Sequence, residues 1–204
     1  MSTKNILVVL AFIITTTLTA QSHYAFGPIV GVNRASLTNT TGATPRYGMT
    51  FGLFSDYRFS QLIGFEPEVD YSMQGAYKGA EYIRTNYLNV PLMAKLFLTD
   101  NFNVQLGPQF AFCLNAKGYA TDANGTPYDI ETISDVNPFD IDMVVGIGYE
   151  LPKGIMLQAR YFMGTLGVDK RGTLLNNLSG TQITTQTWPH NLNNVFQVLL
   201  GWKF

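Results

Sequence analysis

The feature that most constrains the fold is an alternation of apolar and polar residues, which recurs in eight segments and continues to the end of the chain. In the last segment every second residue is apolar or aromatic, and most residues between them are polar or small. Because a strand places alternate side chains on opposite faces, the pattern predicts a sheet with one apolar and one polar face. In the last segment the apolar face consists of Phe196, Val198, Leu200, Trp202 and Phe204, and the other face includes Asn193, Val195, Gln197, Gly201 and Lys203.

Short turns alternate with long polar connections between these segments. Tight turns are predicted at residues 60–61, 99–101 and 152–154, and the longest connections at 117–138 and 168–190. Outer-membrane barrels have an even number of strands, short periplasmic turns and longer extracellular loops. The sequence therefore predicts an all-β fold, an eight-stranded antiparallel up-and-down transmembrane β-barrel with both termini in the periplasm. The predicted strands are residues 24–33, 47–59, 65–74, 86–98, 102–115, 139–151, 155–163 and 194–204.

The start of the chain has the pattern of a secretory signal. Lys4 precedes an uninterrupted apolar run over residues 6–14, and the small residue Ala20 follows where a signal peptidase would cut. The run is well short of the ~20 residues that a membrane-spanning helix needs, and no longer apolar run follows. We therefore predict a signal peptide at residues 1–20, a single barrel domain at 21–204, and an outer-membrane location in a diderm bacterium.

Composition separates a membrane barrel from a soluble barrel with the same period. Charged residues make up 13% of the chain and aromatic residues also 13%, whereas soluble domains usually carry about 25% charged residues. The apolar rows are almost free of charge, and the polar rows are too rich in acidic and basic residues for an apolar ligand pocket. The net charge of −1 argues against a nucleic-acid partner.

Five stretches of this sequence, in this order, resemble the PorT-like outer-membrane β-barrel family of diderm bacteria. They are residues 65–75, 87–95, 106–112, 142–150 with 159–161, and 200–204. The resemblance implies an eight-stranded barrel in the outer membrane and little about activity, although the namesake of the family is associated with a protein secretion system. A last strand that ends in phenylalanine, as this one does at Phe204, is also similar to the signal that the barrel insertion machinery recognises.

The polar faces supply the main candidate site. The interior of an eight-stranded barrel is just wide enough to be filled by side chains, and charges inside it need partners. We therefore predict an internal network in which Lys95 and Arg160 neutralise carboxylates of the third and sixth strands. Its predicted members are Glu66, Glu68, Asp70, Lys95, Asp140, Asp142 and Arg160.

Enzymatic chemistry has little support in the sequence. Glu66 and Glu68 share a face, as acid–base catalysis would require, but a charged barrel interior produces the same spacing. His23 and His190 have no second ligand at a metal-binding spacing. We therefore predict a non-enzymatic protein with no catalytic residue, no metal and no cofactor.

A structural or surface-interaction role is expected, and two alternatives stay open. One is a narrow pore for small solutes, and the other is an accessory subunit of an envelope protein secretion system. The expected partners are outer-membrane lipid and lipopolysaccharide, the barrel insertion machinery through the last strand, and an envelope protein through the long loops. A pore would need a continuous gap, for which room is offered by Gly48, Gly52, Gly107, Gly146 and Gly148.

Overall fold

The computed structural model describes residues 23–37, 42–78, 81–121, 127–132, 136–165 and 192–204. The predicted signal peptide and the predicted loop at 168–190 lie outside the described residues. No helix within the described part of the chain is long and apolar enough to cross a membrane. The described residues form nine strands: β1 (His23–Leu37), β2 (Ala43–Arg58), β3 (Ile63–Lys78), β4 (Glu81–Phe97), β5 (Phe102–Thr121), β6 (Pro127–Thr132), β7 (Phe139–Glu150), β8 (Ile155–Gly164) and β9 (Asn193–Trp202).

All the strand pairings are antiparallel, and the sheet closes on itself. The order is β4-β3-β2-β1-β9-β8-β7-β5-β6, and the additional pairing of β4 with β5 completes the ring. β6 pairs with the last residues of β5, Lys117–Thr121, and β7 pairs with its first part, Phe102–Phe112. β6 and β7 therefore occupy one barrel position in succession. The predicted eight-stranded up-and-down barrel is confirmed.

The alternation of the sequence determines which side chains face outward. Leu53 and Trp202 on the outer wall are 66% and 55% exposed, whereas Lys95 and Arg160 on the inner wall are 2% and 1% exposed. A soluble barrel would have the opposite arrangement, with apolar residues inside. An apolar outer wall around a polar interior is the arrangement of a barrel in lipid.

The three predicted tight turns lie together at one edge of the barrel, which we call the turn end. In these turns the N–H of Phe59 donates to Ile63 O at 3.0 Å, that of Thr99 to Phe102 O at 3.3 Å, and that of Leu151 to Ile155 O at 2.7 Å. The C-terminus lies at the same edge, where the N–H of Phe204 donates to Phe26 O at 2.9 Å. The opposite edge is the loop end. Aromatic rings pack at the turn end in the pairs Tyr24–Tyr57, Phe26–Phe204 and Trp202–Phe204.

Several strands extend further towards the loop end than predicted. β3 continues to Lys78 and β4 begins at Glu81, and the predicted loop at 117–138 contains the end of β5 and the whole of β6. The prediction failed here because the outward face beyond the apolar belt is no longer apolar, so the alternation fades while backbone pairing continues. Among the described residues, the side of the barrel formed by β3 to β6 therefore extends furthest towards the loop end.

A β-bulge in β5 changes which residues face inward. Tyr87 pairs with Cys113 but Asn86 pairs with Asn115, so Leu114 is an extra residue on β5. The bulge reverses the face of every later residue in the strand. Asn115, predicted to face the interior, is exposed, and Ala116, Gly118 and Ala120 are buried instead.

Candidate functional site

The interior of the barrel is lined by polar side chains that the alternation of β3 brings inside. Glu66, Glu68, Asp70, Ser72 and Gln74 are all buried, with at most 4% of each residue exposed. They face polar residues on β8 and β9 across the lumen. Burial without partners would be costly for so many polar groups, and most of them are hydrogen-bonded.

Glu66 lies at the centre of a cross-lumen network. Its Oε2 accepts a hydrogen bond from Lys95 Nζ at 2.8 Å, and its Oε1 accepts from Arg160 Nη2 at 2.8 Å and Gln158 Nε2 at 2.7 Å. Arg160 also donates through Nη2 to Glu68 Oε1 at 2.5 Å and through Nε to Gln105 Oε1 at 2.8 Å. Residues of β3, β4, β5 and β8 are thereby tied together inside the barrel.

The network continues to the turn end. Lys95 Nζ lies 3.3 Å from Asp56 Oδ2 and 3.5 Å from Glu150 Oε1. Lys203 reaches the same two carboxylates, with Nζ 2.6 Å from Glu150 Oε1 and in contact with Asp56. Lys203 belongs to the C-terminal segment, so the end of the chain takes part in filling the lumen.

Towards the loop end, neutral side chains make most of the hydrogen bonds that connect the strands inside the barrel. Asp70 Oδ1 accepts from Thr50 Oγ1 at 2.9 Å and from Asn89 Nδ2 at 3.1 Å. Asn33 links β9 to β3, because its Oδ1 accepts from Gln197 Nε2 at 2.9 Å and its Nδ2 donates to Ser72 Oγ at 2.8 Å.

The sequence predicts that carboxylates of the sixth strand form ion pairs with Lys95 and Arg160. Asp140 and Asp142 of this strand are buried, but they do not form these ion pairs. Arg160 lies opposite Gly146, and Asp142 is about 13 Å further along β7 towards the loop end. Asp142 Oδ2 instead accepts from Gln109 Nε2 at 2.5 Å, and Asp140 Oδ1 accepts from the N–H of Ile141 at 2.8 Å. The β7 carboxylate that lies near Lys95 belongs to Glu150.

Among the apolar clusters of the described residues, two lie in the interior on either side of the polar network, and the sequence did not predict them. Along β8 the inward residues run Met156, Gln158, Arg160 and Phe162, so apolar side chains lie on both sides of the polar network. Along β8 these apolar residues lie an even number of positions from Arg160, so the alternation of the sequence could have placed them inside the barrel. The cluster nearer the turn end is Ile29, Phe54, Met156 and Leu199, and the other is Ala35, Met93, Val144, Phe162 and Val195.

The glycines expected to leave room for a pore are closely packed. A Cβ at Gly48, Gly52 or Gly107 would come 2.0 Å, 2.2 Å and 2.0 Å, respectively, from a backbone oxygen of the neighbouring strand. At Gly148 and Gly146 the corresponding space is taken by Gln105 and Arg160, at 2.6 Å and 2.8 Å. These glycines accommodate strand contacts and inward side chains.

A cavity of about 710 Å³ opens at the turn end, lined by residues that include Asp56, Arg58, Glu150 and Lys203. Arg58 Nη1 and Nη2 donate to the carbonyls of Asp100 and Gln61 at 3.0 Å and 2.9 Å. Within the described part of the chain, no three His, Cys, Asp or Glu residues are grouped to hold a metal ion.

Comparison with known proteins agrees with this architecture. Neisserial surface protein A has a TM-score of 0.51 at 13% identity, with 90% of this chain and 99% of that chain covered. The attachment invasion locus protein of Yersinia pestis, in complex with the heparin analogue sucrose octasulfate, has a TM-score of 0.50 at 11% identity, with 89% and 99% covered. At these identities the likeness shows a shared fold. No curated protein matches the chain.

The family described as outer membrane protein beta-barrel domain matches residues 19–165. The matched region contains every strand from β1 to β8 and most of the charged interior. The chain therefore belongs to this family and is a β-barrel protein of the outer membrane.

Proposed function

We propose that the protein is a non-enzymatic barrel whose lumen is sealed by its own side chains, with a structural or surface-interaction role in the outer membrane. The observation that carries the proposal is the contact of Arg160 on β8 with Glu66 and Glu68 on β3. This contact crosses the lumen, and Lys95 completes the neutralisation of Glu66 from β4. A network of paired charges that spans a barrel of this width leaves little space for a solute.

The apolar clusters support the same conclusion. Met156 and Phe162 lie on either side of Arg160 along β8, and both are at most 3% exposed. Water and ions would have to pass two apolar layers as well as the paired charges. Dewetted apolar constrictions are effective barriers to ions.

The taller side of the barrel supports a surface role. β3, β4 and β5 continue beyond the apolar belt, and β6 adds a further strand there. Because short turns are periplasmic in outer-membrane barrels, this taller wall would stand on the extracellular side. This wall would be available for contact with a partner outside the cell.

Conductance in planar bilayers tests the sealed lumen. The refolded wild type should be silent, because the ion pairs and apolar layers block the path. In a variant with Lys95→Ala and Arg160→Ala, Glu66 and Glu68 lose their partners, so any openings that the remaining apolar clusters allow should be cation-selective. Lys153→Asn, which removes one charge from an exposed turn, is the matched control and should stay silent. Steady wild-type conductance whose ion selectivity changes in the double variant would replace the proposal with a pore.

The cavity at the turn end favours a narrow pore as the second candidate. It reaches Asp56, Glu150 and Lys203, which are the outermost members of the lumen network. To conduct, this cavity would need to continue past Lys95, which bridges Asp56 and Glu66. The same bilayer recording decides between the two functions.

We also propose that the chain belongs to the PorT-like branch of its family, on the five stretches quoted above. A role as an accessory subunit in protein secretion would then require a stable complex with other envelope proteins. Copurification from gently solubilised membranes would provide evidence for such a complex. A protein recovered alone would leave the sealed barrel as the whole of the proposed function.

A further inference from the structure

The outer wall of β4 changes character in regular steps towards the loop end. Outward residues from Leu96 to Leu88 are apolar or small and cover about 26 Å along the strand, or roughly 20 Å of height after allowing for strand tilt. That height is close to the apolar band of an outer-membrane barrel. Three polar levels follow at alternate positions: Asn86, which is buried, and then Arg84 and Tyr82, which are partly exposed.

The first level is an amide pair and the second is a cation pair. Asn86 Nδ2 donates to Asn115 Oδ1 of β5 at 2.7 Å. Arg84 lies directly opposite Lys117 of β5, and we call these two residues the cation pair. Both lie between buried neighbours on their strands, so their side chains are on the outer wall.

The guanidinium of Arg84 is partly exposed on the outer wall. Its partner on β3 is Gly75, whose φ of 138° disfavours any other residue and which contributes no side chain to the wall. Arg84 Nη2 donates to Met73 Sδ at 3.9 Å, and its Nε is buried and has no hydrogen-bond partner among the described residues. A guanidinium favours phosphate oxygens, which it can bind in a bidentate way.

The third level is a row of three adjacent rings, which we call the tyrosine row: Tyr77, Tyr82 and Tyr119. Tyr82 is directly opposite both of the others, on β3 and β5. Its ring centroid lies 5.3 Å from that of Tyr77 and 4.8 Å from that of Tyr119, with an angle of 10° between the last two rings. Such a row offers flat apolar faces and phenolic hydroxyls side by side.

We propose that the cation pair and the tyrosine row bind the phosphorylated sugar headgroup of lipopolysaccharide in the surrounding outer leaflet. The proposal rests on the outer-membrane location and on a loop end that faces outward. The sequence of levels matches the sequence of groups in that lipid: acyl chains against the apolar belt, phosphates at the cation pair, and sugars at the tyrosine row. Sugar rings pack their C–H faces on aromatic rings and bond their hydroxyls to phenols.

Binding of purified lipopolysaccharide with a phosphorylated core to the full chain in neutral detergent micelles tests the proposal. The cation variant carries Arg84→Gln and Lys117→Gln, and the tyrosine variant carries Tyr82→Leu and Tyr119→Leu. Each should weaken binding by about tenfold, because charge-assisted phosphate contacts and ring stacking are lost. The matched controls Lys153→Asn and Tyr149→Leu change similar residues at the turn end and should bind like the wild type.

Two further probes separate phosphate, sugar and general anion binding. Enzymatically dephosphorylated lipopolysaccharide should bind the wild type as weakly as intact lipopolysaccharide binds the cation variant. Micelles doped with phosphatidylglycerol, which has a phosphate but no core sugars, should not distinguish the tyrosine variant from the wild type.

Folding of each variant is checked by its gel mobility before and after heating. Folded variants that bind lipopolysaccharide as tightly as the wild type would overturn the proposal and leave this wall to a protein partner. A loss that phosphatidylglycerol reproduces in both variants would also overturn it, because binding would then need no sugar. Neither result bears on the silent conductance expected of the sealed lumen, so the two proposals fail separately.

Discussion

Arg160 is the residue on which the interior depends most. It is 1% exposed, and its guanidinium contacts Glu66, Glu68 and Gln105 from two other strands. Because charges inside a protein lose their hydration, removal of one partner leaves the others buried and uncompensated. The stability of the closed barrel should therefore be sensitive to this one side chain.

Arg160→Met should lower the free energy of unfolding by about 3–5 kcal/mol, because Glu68 and part of Glu66 would lose their counter-charge. Urea titration of the protein in phosphocholine vesicles measures the change. Arg34→Met is the matched control, since Arg34 is exposed on the outer wall and should change stability by about 1 kcal/mol at most. Equal effects of the two substitutions would contradict a structural role for the network.

The sequence predicts the facing of these residues and that Lys95 and Arg160 neutralise carboxylates, but it does not predict which carboxylates of the two strands they contact. Alternation along β3 and β8 is local, so it places Glu66 and Arg160 on the polar faces of their strands, and the low charge of the opposite faces indicates that the polar faces point inward. Their pairing across 94 positions depends on the stagger between strands, which no local pattern records. The same stagger explains why Asp140 and Asp142 lie too far along β7 to reach Arg160.

At the scale of the element, the strands were predicted well inside the apolar belt and less well beyond it. Lipid requires every outward residue to be apolar, so the period is clear in that region. Beyond the belt the wall carries Arg84 and Lys117, and the bulge at Leu114 reverses the parity of β5. Because the alternation is already weak in this region, it does not reveal the single inserted residue.

The turn between β7 and β8 has a stricter backbone requirement than the other tight turns. Lys153 and Gly154 have φ values of 66° and 80°, a region that favours glycine and asparagine. A Cβ at Gly154 would also come 2.6 Å from the carbonyl oxygen of Lys203. This turn therefore holds the C-terminal segment against β8.

Gly154→Val should destabilise the barrel by about 1–3 kcal/mol, because a branched side chain is strained at this φ and meets the Lys203 carbonyl. Lys153→Asn should be neutral or slightly stabilising, since asparagine tolerates the left-handed region. Guanidinium titration followed by tryptophan fluorescence compares the two. A loss in Lys153→Asn as large as that in Gly154→Val would contradict the backbone account, because asparagine should tolerate this φ.

At the scale of the whole molecule, closure of the barrel follows from the number of strands and from the difference between their two faces. Eight alternating segments with one uncharged face have no other way to satisfy their edges in lipid. The first and last strands, β1 and β9, accordingly pair over Ile29–Leu37 and Asn193–Gly201. What the count leaves undetermined is the content of the lumen, because the same eight strands can surround a gap or a packed interior.

One-sided thiol labelling tests most directly whether the interior is sealed. In a Cys113→Ala background, single cysteines replace Gln61 at the turn end and Asn115 above the apolar belt, both of which are exposed. A small charged thiol reagent is added outside sealed vesicles. If the lumen is closed, the reagent reaches only the end of the barrel that faces the outside of the vesicle. The fraction of molecules labelled at residue 61 and the fraction labelled at residue 115 should then add up to one. Full labelling of both variants in vesicles that exclude the reagent without protein would contradict the sealed barrel.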